Sequence, residues 1–104
     1  MGRPEAKIED YLRKQVKAHG GQIRKIRWIG RRGAADNLIW WRFPRCALVE
    51  VKAPGEMIDW RSAQGREFLR MSSQGWPIYS VSSTGAVDAL VRGIMNSSVR
   101  FDDE

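Results

Sequence analysis

The sequence predicts an α/β fold in which helices flank a mixed four-stranded sheet, in the order α-β-β-β-α-β-α. Three observations carry that expectation. Apolar residues recur at helical spacing near the start, in the middle and near the end of the chain. Between those stretches lie short runs rich in Val, Ile, Leu and Trp, punctuated by Gly and Pro. The first three runs are joined by short turns, which makes them an antiparallel meander. The fourth follows a helical crossover, which makes it parallel to the third.

"RPEAKIEDYLRKQVKAHGG" opens the chain as a helix. Pro4 suits a first turn, Gly20 and Gly21 supply the stop, and Ile8, Tyr11, Leu12 and Val16 form the apolar stripe. "QIRKIRWI" (22–29) is a strand carrying basic residues, and "GRRGAA" (30–35) is a basic turn. "DNLIWWRF" (36–43) is the second strand, broken by Pro44 and Arg45. "CALVEVK" (46–52) is the third and most apolar strand. "APGEMID" leads into a helix over about 60–74, capped by Asp59 or Ser62 and stopped by Gly75. "PIYSVSS" (77–83) is the fourth strand, and residues 84–96 form a last helix with Ala86, Leu90, Val91 and Ile94 facing inward.

With 104 residues the chain reads as one domain over 1–104, with a loose acidic tail at about 98–104. Net charge is +6; without the terminal "FDDE", 18 basic residues stand against nine acids. Such a surface favours polyanions, nucleic acid first. The single cysteine, Cys46, excludes an internal disulfide and a Cys-based zinc site, and its apolar run predicts a buried thiol. His19, beside the two glycines, reads as a capping or packing residue. No signal peptide or membrane-spanning run is visible, so the expectation is a cytoplasmic protein with no membrane partner and no organic cofactor.

Glu50 and Lys52 lie two apart in the third strand and therefore share a face. Asp36 begins the antiparallel neighbour, so the hairpin brings it level with residues near Lys52. Two carboxylates about 4 Å apart repel by about 4 kcal/mol at an effective dielectric of 20. A divalent cation between them removes that cost, and oxygen ligands of this kind suit Mg²⁺ or Mn²⁺. The Val51 carbonyl offers a further ligand. Such an ion polarises a phosphoryl oxygen and acidifies water, while Lys52 orients that water or meets charge on phosphorus.

The spacing of Asp36, 13 residues and "EVK" resembles the motif of the PD-(D/E)XK nuclease superfamily. The wider pattern runs from "E-x-x-I-E" (Glu5 to Glu9) through "GG", "G-x-x-D" and "VEVKAPG" to "SAQ", ending at Gln64. It resembles the virus-type replication-repair nuclease (VRR-NUC) family, in its stand-alone phage and prophage form, over roughly residues 5–83. One departure is Ala35, where the family usually has proline, which bears on loop rigidity rather than on a ligand. The resemblance implies a restriction-endonuclease-like core. It makes Asp36 and Glu50 metal ligands, Lys52 the catalytic lysine, and Gln64 a neighbour on the following helix. It also implies a helix glutamate near the metal, for which Glu5 and Glu9 compete, one turn apart on the same side.

Arg24, Lys25, Arg27, Arg31 and Arg32 cluster before Asp36, as phosphate contacts would require. Five tryptophans are many for this length, and Trp40 and Trp41, being adjacent, must point to opposite faces. Trp60 is placed to stack on an unpaired base. Stand-alone family members resemble Holliday junction resolvases, so the expected activity is a metal-dependent, structure-selective DNA endonuclease acting on four-way junctions as a homodimer. A flap or branched-DNA nuclease and a catalytically silent DNA-binding module are the competing readings.

Overall fold

The computed structural model describes residues 4–30 and 35–97. Arg31, Arg32 and the 98–104 tail lie outside them. The elements follow the predicted order: α1 (Pro4–Ala18), β1 (Gln22–Lys25), β2 (Asn37–Trp40), β3 (Cys46–Val51), α2 (Ala63–Ser73), β4 (Ile78–Val81) and α3 (Thr84–Met95). Among the described residues the four strands form one sheet, ordered β1-β2-β3-β4. The first two pairings are antiparallel and β3–β4 is parallel.

Strand alternation divides the side chains between two faces. Ile39, Ala47 and Val49 are fully buried on one face, with Val51 and Val81 close to it, against Leu12 and Val16 of α1 and Val87 and Val91 of α3. Burying a side chain of this size stabilises by about 1.5–3 kcal/mol. The Tyr11 hydroxyl donates to Asp88 Oδ1 at 2.7 Å and ties α1 to α3. The other face carries Leu48, Glu50 and Lys52, and α2 packs against β4 there with Gln64 reaching Glu50.

Local chemistry sets the ends of the elements. Gly20 takes φ +85 after α1, and Gly21 N–H reaches back to the Val16 carbonyl at 2.8 Å. His19 Nδ1 lies 2.8 Å from the Gln15 carbonyl, a C-terminal cap. Ser62, not Asp59, caps α2: its hydroxyl accepts from Gly65 N–H at 3.0 Å, while Asp59 accepts from Arg61 N–H in the preceding turn. Ser83 caps α3 in the same way through Ala86 N–H.

Three expectations need correction. β1 stops at Lys25 rather than at 29, because after the Ile26 N–H bond to the Asp36 carbonyl the chain turns away through Gly30 at φ +83. β2 spans Asn37–Trp40, since Trp41 N–H already donates to the Arg45 carbonyl in the closing turn. Cys46 is exposed, not buried: as the first residue of β3 it precedes the covered part of the strand.

Gly65 packs directly on the turn before α2, and a Cβ there would lie 2.6 Å from Trp60 Cα and against the Asp59 carbonyl. Alanine normally favours a helix over glycine by about 1 kcal/mol. Here overpacking wins, and Gly65→Ala is expected to destabilise by about 1–3 kcal/mol in urea unfolding. Gly93→Ala, with open space at its Cβ, should instead stabilise by up to about 1 kcal/mol.

Candidate active site

The β2–β3 register pairs Asn37 with Val49, which sets Asp36, one step beyond the last rung, across from Glu50. Lys52 follows two residues later on the Glu50 face. Its N–H donates to the Val81 carbonyl at 2.8 Å, toward β4. The trans peptide therefore turns the Val51 carbonyl the other way, toward the β2 side where Asp36 stands. Asp36, Glu50 and the Val51 carbonyl thus supply an oxygen-only donor set at one end of the sheet.

α1 contributes Glu9 to the same end. Lys25 Nζ lies 2.6 Å from Glu9 Oε2 and 3.1 Å from Asp36 Oδ2. Asn37 Nδ2 donates to Glu9 Oε2 at 3.0 Å and to Asp36 Oδ1 at 3.2 Å. Of the two candidates on α1, Glu9 shares Lys25 and Asn37 with Asp36. Asn37 is fully buried, and among the described residues its Oδ1 has no hydrogen-bond partner. A buried unsatisfied acceptor costs about 1–3 kcal/mol. An apolar residue would suit the core better, so the amide's observed work is to hold two carboxylates.

Glu50 is half-buried, and burial, followed by the nearby Asp36 carboxylate, pushes its pKa up to about 7. The Lys52 charge, a hydrogen bond from Gln64 and the Lys25 charge pull it back only in part. Gln64 therefore reaches the site from the first turn of α2, held there by the Ser62 cap. Burial also raises the Glu9 carboxyl, but the Lys25 and Asn37 hydrogen bonds and the Lys25 charge outweigh it and leave its pKa below the ordinary value.

A cation fits this arrangement. Asp36 and Glu50 repel, their donors are hard oxygens, and Mg²⁺ is commonly held by one or two carboxylates with the remaining positions left to water or phosphate. Among the described residues no three His, Cys, Asp or Glu side chains gather closely enough to hold an ion by themselves. The Lys25 ammonium stands between Glu9 and Asp36 instead.

The expected basic cluster is divided. Arg24 and Lys25 alternate across β1: the Arg24 guanidinium lies 5.1 Å over the Trp40 ring, while Lys25 turns to the α1 side. Arg27 is exposed. Lys25, expected among the phosphate contacts, is thus engaged by two carboxylates. Sequence reasoning also passed over Asn37. Its signal was parity: Ala35, Asn37 and Ile39 alternate on the inward face of β2, and one of the three is polar.

Glu50 predicts a pH dependence of the metal-free protein. Its folded pKa lies above the ordinary 4.5. The folded state therefore binds this proton more tightly than the unfolded state, and stability falls as pH rises from about 4.5 to about 7. Glu50→Gln removes the penalty. It should stabilise the protein at pH 8 by about 1–2 kcal/mol, discounted for partial solvent screening, and by little at pH 4.5. Urea unfolding at the two pH values checks this; equal effects would contradict the raised acidity.

No protein-family profile and no curated protein matches the sequence. The fold does have a match among solved structures. A structure titled "VRR_NUC domain" superposes with a TM-score of 0.79 at 30% identity, covering 88% of this chain and 97% of its own. Identity at that level over nearly the whole of the matched chain, with the same mixed sheet and three helices, goes beyond a shared architecture. The chain belongs to the VRR-NUC family of nucleases.

Proposed function

We propose that the protein is a divalent-cation-dependent, structure-selective DNA endonuclease that cleaves four-way junctions as a homodimer. The observation that carries this reading is the meeting of Asp36, Glu50, Lys52 and Gln64 at one end of the sheet of a nuclease-family fold. Asp36, Glu50 and the Val51 carbonyl would hold Mg²⁺ or Mn²⁺, with Glu9 beside them. When bound, such an ion supplies Lewis acidity toward a phosphodiester oxygen and acidifies water. Lys52 stabilises negative charge developing on the phosphorus oxygens. Gln64 orients the Glu50 carboxylate through its hydrogen bond. Arg24 and Arg27, with Arg31 and Arg32 leading to Asp36, supply phosphate contacts that do not depend on base sequence.

A four-way junction has near two-fold symmetry, and a two-fold dimer offers two sites in that relation. Trp28 and one of Trp40 and Trp41 are the aromatic candidates for such an interface; of these, Trp41 is engaged within the chain, its indole donating to the His19 carbonyl at 3.1 Å and packing on the core. The apolar groove of about 720 Å³ between β4 and α3, lined by Tyr79, Ala86, Leu90 and Ile94, is a better surface for a second copy. Among the described residues no helix is long and apolar enough to cross a membrane. The location proposed with this reading is the cytoplasm of a bacterial or phage-infected cell, where its DNA substrate lies. One observation favours a flap or branched-DNA nuclease as the second reading: Trp60, 48% exposed and edge-on to Phe68, offers a face for an unpaired base.

Incubation with four-way, flap, splayed-arm and duplex DNA, with and without Mg²⁺ or Mn²⁺, separates these readings. Paired symmetric nicks in the four-way junction, abolished by chelation, are expected, with a dimeric mass in light scattering. Preferential flap cleavage by a monomer would favour the second reading.

Individual residues are tested separately. Asp36→Asn and Glu50→Gln should each abolish calorimetric Mn²⁺ binding; unchanged binding in both would remove the metal assignment. Lys52→Ala should keep DNA affinity within a few-fold and lose about 10²-fold or more in cleavage. Near-normal turnover would remove Lys52 from the chemistry.

A further inference from the structure

Lys25 occupies an unusual place for a lysine. It sits on β1 at the position that alternation puts on the same face as buried Ile23, paired with Asn37 across the ladder. There its ammonium bridges Glu9 and Asp36 at 2.6 and 3.1 Å, at the length of charge-assisted hydrogen bonds. We propose that Lys25 is a tethered counter-ion. It holds Glu9 and Asp36 together in the metal-free protein and surrenders its place when a divalent cation binds. The inference rests on the metal reading of Asp36 and Glu50, and it concerns what fills the site before the metal does.

Three features support an exchange rather than a permanent bridge. The first is an asymmetry of burial. The Glu9 side chain is 14% exposed and fixed by Asn37, whereas that of Lys25 is 49% exposed on an edge strand, so the base is the partner free to leave. Its four-carbon stem can carry the ammonium into water without moving the backbone. The second is charge. The site holds three acids, Glu9, Asp36 and Glu50, and two lysines, Lys25 and Lys52. With all three acids ionised, as metal ligation requires of Glu50, replacing one ammonium by one divalent cation adds a single positive charge and brings this group to neutrality. The third is geometry: a cation placed to contact Asp36 competes for the same carboxylate that Lys25 occupies, and close like charges repel.

The test is calorimetric titration with Mn²⁺, without DNA, on the wild type, Lys25→Met and Asp36→Asn. Lys25→Met keeps the apolar stem and removes the competitor. It should bind Mn²⁺ about fivefold tighter or more. Its metal-free form should melt below the wild type, and saturating Mn²⁺ should narrow that gap. If Asp36→Asn abolishes binding but Lys25→Met binds no tighter than wild type, the inference fails and the metal site stands. If no protein binds Mn²⁺, both fail.

A second measurement needs no variant, should Lys25→Met not fold. Acylation of wild-type lysines by an amine-reactive ester, read by mass spectrometry, should rise several-fold at Lys25 on adding Mn²⁺. Lys7, Lys14 and Lys17 should stay constant. Unchanged labelling of Lys25 at saturating Mn²⁺ would overturn the exchange.

Discussion

The pairing of Asn37 with Val49 is the constraint on which the rest of this structure turns. A one-residue slip in a sheet sends every side chain of a strand to the opposite face. Here a slip would put Ile39 into solvent and carry Asp36 away from Glu50. The core and the site are thus specified by the same register. The turn at Trp41–Arg45, closed by the Trp41 and Arg45 N–H bonds, fixes the register locally. Ile39, Ala47 and Val49, all without exposed surface, enforce it through burial.

At the end of the sheet the patterning that builds the core gives way. Asn37 stands where an apolar residue would pack, and it leaves one acceptor unsatisfied. Glu50 is held where its proton binds more tightly than in water. Both features work against stability, and the hydrophobic layer shared by α1, α3 and the sheet offsets them. Local violations of a consistent pattern are expected where a fold carries chemistry. Here both fall within one hairpin.

Most of the architecture was legible because it rests on short-range signals. The stripe of Ile8, Leu12 and Val16, the choice of Asp59 or Ser62 as the cap of α2, and the turns between the first three strands require no knowledge of distant contacts; the Ser83 cap was not read, because Ser83 was counted into the fourth strand. Strand ends were read too long at 29 and 43, because β-formers such as Ile29 and Phe43 continue past the last rung of the ladder. Trp41 was legible as facing away from Trp40, but its seat over Gly21, where a Cβ would meet the ring at 2.6 Å, is a long-range fact. The nearness of Asp36 to Glu50 followed from counting through a hairpin. That Glu9 shares Lys25 and Asn37 with Asp36 depends on how α1 crosses the sheet, and no local periodicity encodes that angle. Lys25 was hidden among arginines: composition marks a basic strand, and only alternation shows which cation turns inward.

Ala35 stands directly before Asp36, and its carbonyl accepts from the Trp28 indole at 2.6 Å. Beside it, the Asp36 carbonyl accepts from Ile26 N–H at 2.9 Å. Together these two bonds close the base of the excursion between β1 and β2, gripping the peptide groups on either side of Asp36. The backbone of the aspartate is therefore anchored by residues just past the end of β1. A rigid residue before the acid becomes dispensable, because an indole and an amide already hold the backbone there from across the opening of the turn.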